Sequence, residues 1–183
     1  MKRLKAWLSS IKQPSVSAPY SQQPLPLGYN LELHQKLIPE LKLEHQQLIS
    51  LFTDTIKLAE NQRFDKAMIT LDEFRSLLMN HLINENTKLY LFLNAYYRHD
   101  EEFALITKLR NETSNITKAF MDFIQQWRLQ GLNNNTRTRF VNQALPLSDA
   151  LIIRLQNEEK DLFFLYEQAI SAHVQNQHHS HAS

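Results

Sequence analysis

Five ionisable side chains interrupt otherwise apolar helical patterns in this chain, and their types are those that bind metal ions. They are His45, His81, Glu85, Glu112 and Glu158. His81 and Glu85 are four positions apart, a spacing that places both side chains on one face of a helix, one turn from each other. Two groups in that arrangement can reach the same ion.

The donor atoms of this set are imidazole nitrogens and carboxylate oxygens, because the chain contains no cysteine. That composition excludes thiolate sites, disulfides and cysteine nucleophiles. Nitrogen and oxygen ligands without sulfur suit iron, manganese or zinc. Unpaired carboxylates in a dry core are costly and repel one another, so a bound cation is expected among them.

Four strongly periodic segments provide the helices that position these residues. The predicted helices cover about residues 37–60, 65–97, 100–130 and 138–174. Pro39 falls in the first turn of the first helix, Asp65 is a suitable N-cap for the second, and Gly131 is expected to end the third. The short connections between the first three helices predict antiparallel neighbours, and therefore an all-α, up-down-up-down four-helix bundle.

Each predicted helix carries an apolar seam with steps of three and four residues, which is typical of a helix that faces a core. On the second helix the seam consists of Ala67, Leu71, Phe74, Leu78, His81, Glu85, Leu89 and Phe92. On the third it consists of Leu105, Leu109, Glu112, Ile116, Phe120, Phe123 and Trp127. The ionisable residues occupy mid-helix positions of the seams, so we expect them to be buried.

Distances along the chain from the predicted turns place the five residues at similar heights. In an antiparallel hairpin, residues equally far from the turn lie level with each other. His45 and His81 lie about 15 and 16 residues from the first turn, and mismatches of this size amount to ~2–3 Å. Glu112 matches both Glu85 and Glu158 about as well across the other two turns. The sequence therefore predicts one layer with ligands from all four helices.

Arg154 offers an alternative explanation of the same layer. It lies one turn before Glu158 on the fourth helix, so its guanidinium could bridge Glu158 and Glu112 without any metal. A single histidine on an apolar face is also more often a hydrogen-bonded core residue than a ligand. The residues alone leave two interpretations open, a metal site and a buried salt-bridge network.

Composition restricts the remaining classes of function. The formal net charge of +1 indicates neither a nucleic-acid partner nor an acidic one. No apolar run reaches the ~18 residues that a transmembrane segment needs. The absence of cysteine fits a reducing compartment, so we expect a cytoplasmic protein.

The two ends of the chain differ in composition from the helical part, so we predict three regions. Residues 1–34 combine a basic start with an arm rich in proline, serine and glutamine. Residues 35–175 form the bundle. Residues 176–183 form a histidine-rich tail that we predict to be disordered, and we assign no site to its histidines.

The segments around the candidate ligands resemble those of hemerythrin-like, or HHE cation-binding, domains. The stretch NHLINENTKLYLFL, with His81 and Glu85, is similar to the H-x-x-x-E segment of that family. LKLEHQQLISLF around His45 resembles its first-helix segment, and RLQNEEKDLFFLY resembles its fourth-helix segment. The resemblance implies a four-helix bundle that holds non-haem iron, usually two ions, with His45, His81, Glu85 and Glu158 at ligand positions.

Two positions depart from the pattern of that family. Where it usually has a histidine on the third helix, this chain has Glu112, and where it usually has a histidine four residues before the last glutamate, this chain has Arg154. Two imidazole ligands are therefore lost, and reversible oxygen binding is not expected.

Two functions follow from these observations. The first is a metal-binding protein with one or two ions, iron or else manganese or zinc, that senses oxygen, nitric oxide or another small redox ligand or handles iron. The second is a metal-free bundle that acts as an interaction module for a regulatory protein partner. An enzyme that reduces peroxide or oxygen ranks third, because no base or substrate pocket is identifiable in the sequence.

Overall fold

The computed structural model describes residues 31–98 and 100–180, which form helices joined by short turns. This described part contains no β-strand, so the predicted all-α class is confirmed. None of its helices is both long enough and apolar enough to cross a membrane. Of the basic segment and arm predicted at residues 1–34, residues 1–30 lie outside the described residues, as do residues 181–183, whereas residues 31–34 belong to a helix.

The helical elements of the described part build four rods. The elements are α1 Leu31–Glu60, α2 Phe64–Asn84, a π-helical segment Glu85–Tyr90, α3 Leu91–Tyr96, α4 Glu102–Gln130 and α5 Arg137–Ser180. Because α2, the π-helical segment and α3 follow one another without a break, they form one continuous rod. α1 packs against α2 and α5, and α4 packs against α5. The four helices predicted from periodicity are therefore present as a helical bundle.

Two residues with positive φ mark the ends of α1 and α4. Gln62, with φ of 60°, turns the chain between α1 and α2. Gly131, with φ of 72°, ends α4, and its N–H donates to the carbonyl of Trp127 at 3.0 Å. Glycine adopts this left-handed backbone without a steric penalty, which confirms Gly131 as the stop expected from the sequence.

Several helix ends differ from the prediction. α1 begins at Leu31 rather than at residue 37, so Pro39 lies inside the helix and not in its first turn. α2 begins at Phe64, and Asp65 is an acidic residue of the first turn rather than the N-cap. Its charge still favours the positive end of the helix dipole from that position. α5 continues to Ser180, beyond the predicted end at residue 174.

The core consists of two clusters of buried apolar side chains. Cluster 1 includes Leu48, Phe52, Leu71, Phe74, Phe120, Phe123, Trp127, Phe140 and Leu155. Cluster 2 includes Leu37, Leu41, Leu89, Leu93, Ile106, Leu109, Leu162, Phe163 and Tyr166. Every one of the four rods contributes residues to both clusters, so the clusters lie at different heights along the same bundle.

A buried polar layer separates the two clusters. On α1, His45 follows Leu41 of cluster 2 and precedes Leu48 of cluster 1. On the second rod and on α5 too, residues of cluster 1 and residues of cluster 2 are separated by buried polar residues. The buried polar side chains at this level are His45, His81, Glu85, Arg154 and Glu158. An interruption of an apolar core by so many ionisable groups requires each of them to have a partner.

Candidate metal centre

Four of the five predicted ligands lie together in the polar layer. Ligand atoms of His45, His81 and Glu158 all lie within 4.8 Å of one another. The Glu85 carboxylate joins them, with its Oε2 3.9 Å from Nε2 of His81. All four side chains are no more than 2% exposed. α1, α2, the π-helical segment and α5 each contribute one of these residues.

The His45 imidazole is oriented by a carboxylate outside the cluster. Its Nδ1 donates a hydrogen bond to Oε1 of Glu159 at 2.8 Å, and because an ionised carboxylate can only accept, Nδ1 carries the proton. In the neutral ring the Nε2 lone pair then faces inward, 3.7 Å from Oε1 of Glu158. Phe163 stacks against the ring at a centroid distance of 5.4 Å and restricts its rotation.

His81 is held in the same manner from the opposite side. Its Nδ1 donates to Oε2 of Glu44 at 2.8 Å, while the Asn84 side-chain amide donates to Oε1 of the same carboxylate at 2.9 Å. Glu44 is thereby fixed at both oxygens. The rings of His45 and His81 meet edge to face, with centroids 4.9 Å apart. Both imidazoles consequently direct Nε2 into one small space.

Several polar atoms around that space have no hydrogen-bond partner within the described part of the chain. They are Nε2 of His45, Oε1 and Oε2 of Glu85, and Oε1 of Glu158. Buried polar atoms are otherwise paired in the great majority of cases, so a group of them in one place points to a ligand. With the glutamates ionised and His45 neutral at Nε2, all four atoms are electron-pair donors, which is what a cation requires. Nε and Nη1 of Arg154, which are hydrogen-bond donors, likewise have no hydrogen-bond partner among the described residues.

The distances between the candidate ligand atoms fit a single ion of transition-metal size. Two ligands at ~2.0–2.2 Å from one ion lie roughly 3–4 Å from each other, depending on the angle between them. The nitrogen-to-oxygen distances of 3.7 and 3.9 Å fall in this range. The residues present can therefore hold a metal after small side-chain movements, with His45, His81 and Glu158 as the closest set and Glu85 beside them.

The protonation of the two carboxyl groups differs because their neighbours differ. Burial raises the pKa of Glu85 well above its usual value, and the adjacent Glu158 carboxylate raises it further. Burial also acts to raise the pKa of Glu158, but the nearby His45 imidazole and the charge of Arg154 outweigh it, so the pKa is lowered. Of the two carboxyl groups, Glu85 is thus the one more readily protonated and Glu158 the one more readily ionised. A cation that binds Glu85 competes with a proton there.

The pKa of His45 is also shifted. Burial lowers it, but the charge of the nearby Glu158 carboxylate and the hydrogen bond with Glu159 outweigh burial, so the net effect is a raised pKa. The His45 imidazole must be neutral at Nε2 to bind a metal. Metal binding and protonation therefore compete at this ring, and affinity should increase with pH.

Arg154 occupies the other side of Glu158. Its Nη1 lies 3.2 Å from Oε2 of Glu158, and the residue is only 6% exposed. Its Nη2 donates to the hydroxyl of Tyr90 at 3.2 Å, to the carbonyl of Leu109 at 3.2 Å and to Oγ1 of Thr113. The prediction that Arg154 pairs with Glu158 agrees with this geometry, but no contact with Glu112 is formed.

The prediction for Glu112 needs correction. Its side chain is 42% exposed and pairs with Lys108 at 3.8 Å on the surface of α4. The position that faces the polar layer is Thr113, one residue further along. From Leu109 to Ile116, a seam through Thr113 has steps of four and three residues, and a seam through Glu112 has steps of three and four. Both match the seam pattern equally well. Spacing could not separate the two positions, and the layer receives no carboxylate from α4.

The π-helical segment was not anticipated from the sequence, although the pattern contains a signal for it. A row of five buried residues spaced by four runs along this rod to the residue just after it: His81, Glu85, Leu89, Leu93 and Tyr97. In an α-helix each step of four overshoots a full turn by about 40°, so this row would rotate away from the core. A wider π-helical turn from Glu85 to Tyr90 removes the excess rotation. π-helical turns occur frequently at functional sites, and this one carries both Glu85 and Tyr90 into the layer.

The two carboxylates that orient the histidines were also missed. Glu44 directly precedes His45 in the chain yet binds His81, while Glu159 directly follows Glu158 yet binds His45. Adjacent acidic residues beside candidate ligands are the available signal. It does not tell which histidine each of them contacts, because neighbours on a helix point in directions about 100° apart.

Glu44 connects the layer to the surface. It is 19% exposed and lies in a groove of about 530 Å3 between α1 and α2. The groove is lined by Glu40, Leu43, Glu44, Gln47, Leu77, Asn80, Ile83 and Asn84. The Nδ1 side of His81 thus lies one side chain from solvent, whereas its Nε2 side is enclosed.

Comparison of the chain with known protein families, with curated proteins and with solved structures yields no match. The resemblance to hemerythrin-like domains therefore stays a prediction that rests on the three segments around His45, His81 and Glu158. The geometry of the polar layer is the basis on which a function can be assigned.

Proposed function

We propose that this protein is a metal-binding bundle of the hemerythrin-like type that holds non-haem iron through His45, His81, Glu85 and Glu158. Its role would be to sense oxygen, nitric oxide or another small redox ligand, or to handle iron. Iron is preferred over manganese and zinc for two reasons. The closest set, His45, His81 and Glu158, has two histidines and one carboxylate, as is typical of non-haem ferrous sites with further positions open. The segments around the ligands also resemble an iron-binding family.

One observation carries this proposal. Each histidine donates its Nδ1 proton to a carboxylate outside the cluster, at 2.8 Å in both cases, and turns Nε2 toward unpaired carboxylate oxygens. Metal-binding histidines almost always have such a partner on the second nitrogen, because it fixes the tautomer and the ring orientation and increases ligand basicity. A histidine that only fills a core has no need for a lone pair directed at carboxylate oxygens.

The proposed topology is an antiparallel, up-down-up-down bundle. Along α1 and α4, residues of cluster 2 come first and residues of cluster 1 follow; along the second rod and α5 the order is reversed. This alternation is what antiparallel neighbours produce. It also explains how ligands far apart in sequence reach one level.

The residues of the chain perform distinct tasks in this site. When bound, iron would supply open coordination positions and a change of redox state. His45, His81 and Glu158 would hold the ion, and Glu85 would become ionised to bind it. Glu44 and Glu159 orient the imidazoles. Clusters 1 and 2 exclude bulk water above and below the layer, which restricts access to very small molecules.

The proposal is tested by anaerobic titration of the full chain with ferrous iron, followed by metal analysis after desalting. The protein used should carry glutamine in place of His178, His179 and His181, since a histidine-rich tail can bind metal adventitiously. We expect tight binding that the tail substitutions do not alter. Replacement His81→Ala should lower the affinity by more than the ~10–100-fold typical of residues that only orient a ligand. Equal binding by the His81→Ala protein would refute the site.

A second candidate function is supported by Arg154. Its pairing with Glu158 at 3.2 Å and its bonds to Tyr90, Leu109 and Thr113 are those of a structural network that needs no metal. The raised pKa of Glu85 favours its neutral form, in which Arg154 and Glu158 balance each other in charge. In that case the bundle would be an interaction module for a regulatory protein. The absence of binding in the titration with ferrous iron and in parallel titrations with manganese and zinc would favour it.

A further inference from the structure

We infer that the polar layer accepts one metal ion and not two, because the guanidinium of Arg154 takes the place of a second cation. This inference rests on the proposed metal site. It makes Arg154 the residue that sets the stoichiometry of that site.

The two oxygens of Glu158 are divided between different partners. Oε2 lies 3.2 Å from Nη1 of Arg154, while Oε1 faces Nε2 of His45 at 3.7 Å and has no hydrogen-bond partner in the described part of the chain. A carboxylate that joins two ions offers one oxygen to each. Here one of the two oxygens is already paired with the guanidinium, so one remains for a metal.

Arg154 is held in this position by three elements. Its Nη2 donates to Tyr90 of the π-helical segment and to Leu109 and Thr113 of α4, while its backbone belongs to α5. Burial of the residue at 6% exposure leaves no solvent into which the guanidinium could turn. A second ion would have to displace a charge that is fixed by hydrogen bonds on its far side.

The number of available imidazole ligands leads to the same number of ions. Among the side chains whose burial the structure describes, His45 and His81 are the only buried histidines, and both direct Nε2 to the same space.

The test measures the number of ions bound and their magnetic coupling in the full chain with glutamine at positions 178, 179 and 181. Ferrous iron is titrated anaerobically, and manganese(II) is added to a parallel sample for electron paramagnetic resonance. We expect one ion per chain and the spectrum of an isolated manganese(II). Two ions per chain with a spin-coupled spectrum would overturn the inference and leave the metal site itself intact.

Variants of Arg154 test whether its positive charge limits the number of ions that the site binds. Arg154→His removes the fixed cation and adds an imidazole, so we expect the stoichiometry to increase from one to two. Arg154→Lys retains the charge and should stay at one, and circular dichroism of both variants verifies that they are folded. One ion in Arg154→His would overturn the inference. No ion in the wild type, whatever the variants bind, would overturn the proposed function and the inference together.

Discussion

Glu44 and His81 are joined by a hydrogen bond of 2.8 Å that connects α1 to α2 and fixes the direction of the imidazole. The hydrogen bond lowers the pKa of Glu44; burial opposes the effect, and a second hydrogen bond from Asn84 strengthens it. Glu44 therefore stays ionised and acts as an acceptor. Since Glu44 lies in the surface groove, this contact of the layer can be altered with little disturbance of the core.

Glu44→Gln should reduce metal affinity without unfolding the protein. Glutamine keeps the shape of the side chain but offers a weaker acceptor to Nδ1 of His81, so the ring loses orientation and basicity. We expect a loss of ~10–100-fold in a competition titration against a chelator. Glu40→Gln is a matched control, because Glu40 lines the same groove and is exposed. Equal affinities of the two variants would contradict the orienting role of Glu44.

Metal binding should stabilise the fold. An ion that binds only the folded state adds about 2.7 kcal/mol to the free energy of unfolding when it is present at 100 times its dissociation constant. We expect the melting temperature of the full chain to rise with ferrous iron under anaerobic conditions and to return to the starting value with chelator. A melting temperature that is unaffected by both additions would leave the metal-free network as the better description.

The stability of the metal-free protein should depend on pH through Glu85. Its pKa in the folded protein is raised above the ordinary value of 4.5, chiefly by burial, so its contribution is complete below about that pH and is lost as pH rises through the raised pKa. Glu85→Gln resembles the protonated group and does not suffer this loss. In chelator, the melting temperature of Glu85→Gln relative to wild type should therefore increase from acidic to neutral pH.

With metal present, we expect the wild type to be favoured over Glu85→Gln. Glu85 then binds the ion as a carboxylate, which glutamine replaces poorly, so wild type should gain more from iron than Glu85→Gln does. A difference between the two melting curves that stays constant with pH in chelator would contradict the raised pKa of Glu85.

Arg154→Met should destabilise the metal-free protein by ~3–5 kcal/mol, because it leaves the Glu158 carboxylate buried without its cation. The acceptors Tyr90 and Thr113 also lose their donor. Lys108→Met is the control, since the Lys108 pair with Glu112 is exposed and such pairs contribute ~0–1 kcal/mol. Urea unfolding in chelator measures both. If Arg154→Met lowered the free energy of unfolding no more than Lys108→Met does, Arg154 would not be required to balance the charge of Glu158.

Glu112→Gln should alter neither metal binding nor stability to an appreciable extent. The side chain is 42% exposed and its pair with Lys108 is 3.8 Å long, so removal of the charge should cost less than about 1 kcal/mol. Titration with ferrous iron should give the wild-type affinity. A marked loss of affinity would restore Glu112 to the ligand set and contradict its surface position.

Hydrophobic periodicity was sufficient to predict the helical class and most of the polar layer. Every residue of the seam predicted for the second helix is buried, from Ala67 to Phe92. His45, His81, Glu85 and Glu158 meet at one level as chain distances from the turns predicted. These properties depend on local repeat length and on the rise of a helix, both of which the sequence carries directly. The absence of cysteine likewise limits the donor atoms to nitrogen and oxygen through composition alone.

Side-chain partners between helices depended on the packing of the rods. Whether Glu112 or Thr113 faces the layer depends on a rotation of α4 by about 100°. The sequence does not determine this rotation, because the apolar seam is equally regular through either residue. The crossed pairing of Glu44 with His81 and of Glu159 with His45 follows from how α1, α2 and α5 come together. The widened turn at Glu85–Tyr90 is favoured only because Glu85, Leu89 and Leu93 all have to face the same core. Sequence spacing specifies which face of a helix is apolar, whereas the partner of a polar side chain depends on contacts between helices that exist only after the rods have packed.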